Sequence, residues 1–465
     1  MNISFEEKAS LVGEIKIELE PQDYLTPVQQ KIKEVSKRAQ LPGFRPGKVP
    51  PSLLQKMYGK SILLDEINKI INNNVQKYLQ DNQINILFNA ELDAEKSPSI
   101  VEINNLNFNQ PTPLHFYLNV VVKPKLDIDL AQIFSGEEFT KYKVVVSEED
   151  VEEEITNISY YLGERQEAQS IEINDTIYGT LKVEQKPELD RAVHINLRKV
   201  PVSIAEKFLS KKVKDTVTLS LEALKEMYSY KGIGAISEEF LQNQDSSSEY
   251  IFVIQNIIRI TPKPVDETFY SNVSEGKIKE KDAFYEFIKE RLTQKFEFLS
   301  KQRLYQQIEQ KLLEKVDIPL PKEVIKQKII QRDASYLNLP TERQEKLLQE
   351  NIEQLKLLII TENLLNKHNI QITDDDLKRQ YILQLKQQWQ YLTQKDTNVF
   401  TIEDIKLEEE NPNLLERVEK ALQNEENLNN TLAKVEKHYL KKILLENVPY
   451  TTKEISIVEF EKLKK

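Results

Sequence analysis

The first 120 residues alternate between two hydrophobic patterns. Over residues 11–19, the apolar side chains of Ile15, Ile17 and Leu19 are separated by charged residues. This period of two predicts a strand with one buried face. Residues 22–39 place apolar side chains three and four positions apart, which predicts a helix with one buried stripe, formed by Leu25, Val28, Ile32, Val35 and Ala39.

A second helical stretch follows a loop rich in glycine and proline. Pro50 and Pro51 begin a predicted short helix that ends at Gly59, and a longer helix is predicted over residues 61–79. Further strands are predicted at residues 3–5, 100–103 and 115–122. Residues 1–122 are therefore expected to form an α+β domain in which a helical hairpin protrudes from a small sheet.

The middle of the chain has the pattern of a second small domain. Residues 123–146 are a polar connector that ends in a strand at 142–146, and Ser147 is placed to cap a helix. Short strands separated by short helices are then predicted at residues 176–183, 193–197, 216–221 and 250–260. We expect an α+β domain at residues 147–261.

The pattern beyond residue 261 is almost wholly helical. Helices are predicted at 283–316, from Val324, from a capping box at Thr341, from a cap at Thr373, and from Pro412 to residue 445, with a last short strand at 451–460. Trp389 and the phenylalanines of residues 284–298 are interpreted as core, although some of them could instead line an exposed apolar trough, and the sequence does not separate the two. The predicted fold class is thus α+β and multidomain, with a mostly helical C-terminal domain with arms at residues 262–465.

Charge is distributed unevenly over the 465 residues. The net charge is −11, which argues against general nucleic-acid binding. Residues 31–60, however, hold eight bases and one acid, so this segment carries +7 and the remainder carries −18. A basic segment on an acidic body is typical of a protein that meets an anionic surface at one place.

Several function classes are not supported by the sequence. Cysteine is absent, and the four histidines share no ligand spacing, so no metal site is predicted. The three aspartates at 374–376 begin a helix, where the dipole favours acids, and no phosphate-binding glycine loop occurs. No nucleotide or other cofactor is therefore expected. The start of the chain has no secretory signal pattern and no segment is apolar enough to span a membrane, so we expect a cytoplasmic protein without a membrane partner.

The loop between the first two helices is the most specific motif. The chain has only 10 glycines, and two of them lie in residues 41–50 among three prolines. Such a loop has a specified backbone, and it places a phenylalanine and an arginine where a docking tip would expose them. The candidate site residues are Gly43, Phe44, Arg45, Gly47, Lys48 and Pro50.

This motif resembles the ribosome-docking signature of the trigger factor family of nascent-chain chaperones. Weaker likenesses follow in the same order along nearly the whole chain, at residues 55–59, 123–125, 317–319 and 452–454. The resemblance implies an ATP-independent chaperone that sits on the large ribosomal subunit beside the polypeptide exit. Its implied partners are a rim protein, rRNA and unfolded nascent polypeptides. Whether the free protein forms a homodimer is left open.

The resemblance also implies that residues 147–261 are similar to the FK506-binding type of peptidyl-prolyl isomerase. The Phe-Thr-Gly run of that type is replaced here by Tyr178-Gly179-Thr180, and its Ile-Pro-Gly-Phe run by Val200-Pro201-Val202-Ser203. We therefore hypothesise a degenerate isomerase domain, with no catalytic residue assigned, that serves as a binding arm or spacer. Aromatic residues that could line a cup, although a core role is favoured, are Tyr178, Phe208, Tyr228, Tyr230 and Phe240.

Two alternative functions use the same features. One is a ribosome assembly or RNA-binding factor that uses the basic tip on immature particles. The other is a prolyl isomerase chaperone of the cell envelope, against which the missing signal pattern argues.

Overall fold

The structure is a computed structural model that describes residues 1–39, 41–42, 44–45, 48–108, 110–183, 189–242, 249–393 and 401–463, with the backbone alone at 390–393. Its strands are β1 Asn2–Ala9, β2 Val12–Leu19, β3 Glu91–Leu92, β4 Leu114–Val121, β5 Thr140–Val145, β6 Glu164–Glu167, β7 Thr176–Val183, β8 Arg191–Asn196, β9 Thr216–Leu219, β10 Ile233–Gly234, β11 Tyr250–Thr261 and β12 Thr451–Ser456.

Helices account for most of the remaining chain. The α-helices are α1 Pro21–Arg38, α2 Pro51–Asp81, α3 Ile100–Asn104, α4 Leu130–Ile133, α5 Glu148–Tyr161, α6 Val202–Ala205, α7 Leu221–Ser229, α8 Glu238–Gln242, α9 Glu267–Val273, α10 Lys281–Lys315, α11 Lys322–Arg332, α12 Thr341–Lys367, α13 Asp374–Thr393, α14 Pro412–Leu422, α15 Glu425–Asn447 and α16 Ile457–Lys462. Short 3₁₀ turns lie at Leu197–Lys199, Ala334–Asn338, Ile402–Asp404 and Leu407–Glu409. The combination of helices with separate sheets confirms the predicted α+β class.

The described chain divides into two compact units. One contains residues 1–140 and 302–451, and the other contains residues 141–301 and 452–465. The domain boundaries expected from the sequence stay a prediction.

The first unit contains a four-stranded antiparallel sheet in the order β1-β2-β4-β3. The alternation in β2 is confirmed, since Ile15, Ile17 and Leu19 are fully buried. They share a core with α1, α2 and β4. A second core lies among the helices of this unit, between α4, α11, α12, α15 and the part of α10 after residue 301.

The second unit is built on a sheet in the order β10-β8-β7-β11-β6, with β9 also paired to β11. Asp175, at the start of β7, is buried and accepts two hydrogen bonds from Arg259 of β11, each at 2.9 Å. This bidentate pair fixes one end of the two central strands. β5 pairs with β12, and these strands share a core with α5, α9 and α16.

Several sequence-based predictions of local structure were wrong. α2 continues through Gly59, so the predicted break there does not occur. Residues 100–103 form a helix rather than a strand, because Ser99 and Glu102 make a capping box in which each side chain bonds the other's backbone N–H. The helix predicted from Pro412 to residue 445 is divided, since Asn424 caps the start of α15.

The cap predicted at Thr373 is confirmed. Its backbone N–H and hydroxyl donate to the Asp376 carboxylate at 2.9 and 2.8 Å. Thr341 does not cap its helix, since Pro340 holds the N-cap position. Phe284 and Phe296 are buried as expected, but Trp389 is 50% exposed, so the core interpretation was wrong for it. Within the described ranges, no helix combines the length and the apolar character that a membrane span needs.

Candidate functional site

The candidate site lies where helices α1 and α2 meet. Each helix has one buried stripe, which in α1 contains Tyr24, Val28 and Ile32, and the two helices pack along these stripes. The Tyr24 hydroxyl donates to the Thr112 carbonyl at 2.9 Å, which ties α1 to the segment before β4. The pair is a helical hairpin whose connecting loop holds the glycine- and proline-rich motif.

The loop is attached to the hairpin near the point where it leads into α2. The Ser36 hydroxyl of α1 donates to the Val49 carbonyl at 2.5 Å, and both residues are buried. The Lys48 N–H donates to the Arg45 carbonyl at 2.9 Å, which closes a turn within the loop. The end of the motif that leads into α2 is thus held by a buried hydrogen bond.

The candidate site residues of the motif face solvent where the structure describes them. Phe44 is 40% exposed, and Arg45, Lys48 and Pro50 are also exposed. Among the described residues, neither Arg45 nor Lys48 has an ion-pair partner within 4.0 Å. Gly43 and Gly47 lie outside the described residues. An exposed aromatic ring beside exposed cations offers both an apolar and a charged contact to a partner.

The charge on the hairpin is also exposed. All eight bases of residues 31–60 face solvent, and the one acid, Glu34, lies 3.8 Å from Lys31 in an exposed pair that contributes little to stability. Lys37 and Arg38 lie in the last turn of α1, where the helix dipole favours cations, so helix stability explains their charge. The dipole does not explain the charge of Lys56 and Lys60 in α2, because these two residues lie near the N-terminal end of their helix.

Sequence reasoning missed several residues of this region. Ser36 was not singled out, and a buried serine within a helix gave no signal for its bond to the loop. Gly59 was read as a helix end, whereas it lies inside α2 beside the Phe108 ring: a Cβ built there would lie 3.6 Å from that ring, an ordinary contact distance. Met57 and Tyr58 were noted only as part of the family likeness, yet both are exposed.

The aromatic residues considered for a cup in the second unit do not share one surface. Phe208 and Phe240 belong to the buried core, and Phe208 packs edge-on against Phe252 with ring centroids 6.0 Å apart. Tyr178 and Tyr230 are exposed. The core interpretation is thus confirmed for the two phenylalanines.

Comparison with known proteins gives one consistent result. Residues 1–158 match the family described as "Bacterial trigger factor protein (TF)". Trigger factor of Prosthecochloris aestuarii is 22% identical over 386 residues, which are 78% of this chain and 82% of that protein. Trigger factor of Caldicellulosiruptor saccharolyticus is 21% identical over 82% of this chain and 87% of its own length.

Identity is higher over a shorter alignment with another relative. Trigger factor of Acetivibrio thermocellus is 31% identical over 160 residues, which are 34% of each chain. A solved structure of the trigger factor chaperone covers 94% of this chain at 15% identity, with a TM-score of 0.38. The N-terminal family match and the near full-length relatives agree: residues 1–158 match the trigger factor family, and the chain is similar to trigger factors over most of its length.

Proposed function

We propose that this chain is an ATP-independent, ribosome-associated chaperone that docks through the loop between α1 and α2 and shields nascent chains. The family supports the chaperone function over the assembly-factor and cell-envelope alternatives. The observation that supports the docking residues is the exposed Phe44–Arg45 pair on a hairpin whose bases all face solvent.

The loop residues divide the docking work by their chemistry. Arg45 offers a planar fork of donors for carboxylates or phosphates, and Lys48 offers a compact cation. Phe44 supplies an apolar surface that binding would remove from water. Gly43, Gly47 and Pro50 are proposed to set the backbone of the loop. The expected contacts are a protein at the rim of the polypeptide exit and the neighbouring rRNA of the large subunit.

Docking would serve the chaperone function by proximity. A holder tethered beside the exit meets each emerging segment at a raised effective concentration, so weak contacts are sufficient. Release then needs only that the client buries its own apolar surface more favourably. Such a protein works in the cytoplasm, and its free form is a candidate for a homodimer, which light scattering over a concentration series would test.

The second unit is proposed to be a binding arm or spacer without brisk isomerase activity. The support is that Phe208 and Phe240, two of the aromatic residues a substrate cup would use, are buried in the core. A protease-coupled assay on a proline peptide tests this. Brisk turnover that is lost when residues 150–260 are deleted would refute it.

Co-sedimentation with ribosomes tests the docking proposal. Phe44→Ala combined with Arg45→Ala is expected to abolish binding and leave the fold intact, because both side chains are exposed. Leu92→Ser, an exposed apolar position on β3, is the matched control and should bind like the unmodified chain. Unchanged binding of the double variant would refute the assignment.

A further inference from the structure

The exposed apolar surface of the hairpin extends beyond the loop. Met57 is 52% exposed and Tyr58 is 44% exposed, and both lie in the second turn of α2. They follow Leu54 by three and four positions, so they lie on the same helix face. Leu54 is fully buried in the core that also contains Val49. The face that is buried where the loop joins α2 therefore continues, one turn later, as exposed apolar surface.

Helix geometry directs these side chains towards the loop. Helical side chains lean towards the N-terminus, so each covers the turn before its own Cα. At 1.5 Å per residue, Tyr58 lies only about 10 Å along the axis from the first residue of α2. Met57 and Tyr58 thus cover the helix surface nearest the loop, and with Phe44 they place three exposed apolar side chains at one end of the hairpin.

The charges beside this surface are not explained by helix stability. Lys56 and Lys60 are exposed and four positions apart, a spacing at which like charges repel. They are the first two charged residues of α2, and the first acid of this helix is Asp65, so no acid lies among the turns that hold them. A local departure from the rules of stability points to a function.

We propose that Met57 and Tyr58 form a second contact, here named the helix contact, that binds an apolar depression edged by acidic side chains on a folded protein. This rests on the proposed docking function and names the chemistry of one partner surface. Methionine has a flexible thioether that fits irregular apolar surfaces and no flat face to stack on a base. Lys56 and Lys60 supply the charge that acidic side chains at the edge would meet.

Binding to purified large ribosomal subunits tests the helix contact. Met57→Ser combined with Tyr58→Ser is expected to weaken binding at least tenfold, because burying two half-exposed side chains would otherwise add to affinity. The slope of affinity against salt should not change, since no charge is removed. Leu92→Ser is the matched control, and a photoreactive residue at position 57 should give an adduct that protease removes and ribonuclease does not.

Three outcomes would overturn the proposal. If the Met57/Tyr58 variant binds within twofold of the unmodified chain while the Phe44/Arg45 variant does not bind, the helix contact is wrong and the docking loop stands. If both variants bind normally, both proposals fall. If the adduct at position 57 is to RNA, the partner surface is not a protein.

Discussion

Ser36 joins helix α1 to the loop that is proposed to dock, and replacing Ser36 with alanine tests that contact. Its hydroxyl donates to the Val49 carbonyl at 2.5 Å, and the two residues are only 8% and 2% exposed. Alanine preserves helix α1, because it is the best helix former. The substitution leaves the Val49 carbonyl without this donor in a place that water hardly reaches.

The expected cost follows from these contacts. A buried acceptor left without a partner costs about 1–3 kcal/mol, and the better helix propensity of alanine returns roughly 0.5 kcal/mol. The middle of the resulting range is about 1–2 kcal/mol for the return of the loop, which corresponds to opening about 5 to 30 times more often. Affinity for ribosomes should fall as well, since the loop is held in its docking geometry less of the time.

Amide hydrogen exchange of the intact chain measures this opening. Peptides covering residues 48–54 should exchange about 5 to 30 times faster in Ser36→Ala. Ser61→Ala, an exposed serine of α2, is the matched control and should leave exchange unchanged. Equal exchange in the two variants, or a change spread over the whole chain, would refute the anchoring role.

Three further predictions concern other parts of the chain. Gly59→Ala should be neutral or stabilise the chain by up to about 1 kcal/mol in a urea titration, because the added Cβ meets only the Cγ of the Gln55 side chain, at 3.3 Å, and a ring at ordinary distance. Marked destabilisation would contradict this. Hydrogen bonding to His438, at 2.8 Å, lowers the pKa of Glu403 to about 2. This pair therefore stabilises the fold at pH values above the carboxylate's ordinary pKa of 4.5, and its contribution is lost as the pH falls from 4.5 through 2. Glu403→Gln should therefore flatten the pH dependence of stability between those values, and an unchanged slope would count against the pair. Asp175→Asn should lower the free energy of unfolding by about 2 kcal/mol in the same titration, because it breaks the bidentate pair with Arg259. A loss below about 0.5 kcal/mol would show that water replaces the carboxylate.

The parts of the fold that the sequence predicted correctly are those where one strong signal acts alone. The apolar stripe of α1 and the alternation in β2 each separate a buried face from an exposed one, and both elements formed as expected. Residues 100–103 carried competing signals. Their β-branched side chains favoured a strand, but the reciprocal bonds of Ser99 and Glu102 stabilise a helix start.

Prediction of the candidate site from the sequence succeeded and failed for similar reasons. The exposed Phe44 and Arg45 were expected from the motif, because a fixed turn between two helices leaves its middle in solvent. The exposure of Met57 and Tyr58 could not be read from the sequence, since a helix start holds apolar residues on either a buried or an open face. Only the position of Leu54 in the core shows which case applies.

A cryo-EM reconstruction of the chain bound to ribosomes that carry a stalled nascent chain tests the central claim most directly. The account predicts that the loop at residues 41–50 contacts the large subunit beside the polypeptide exit, with Phe44 and Arg45 in the interface. A complex that attaches through another element and leaves this loop in solvent would contradict it.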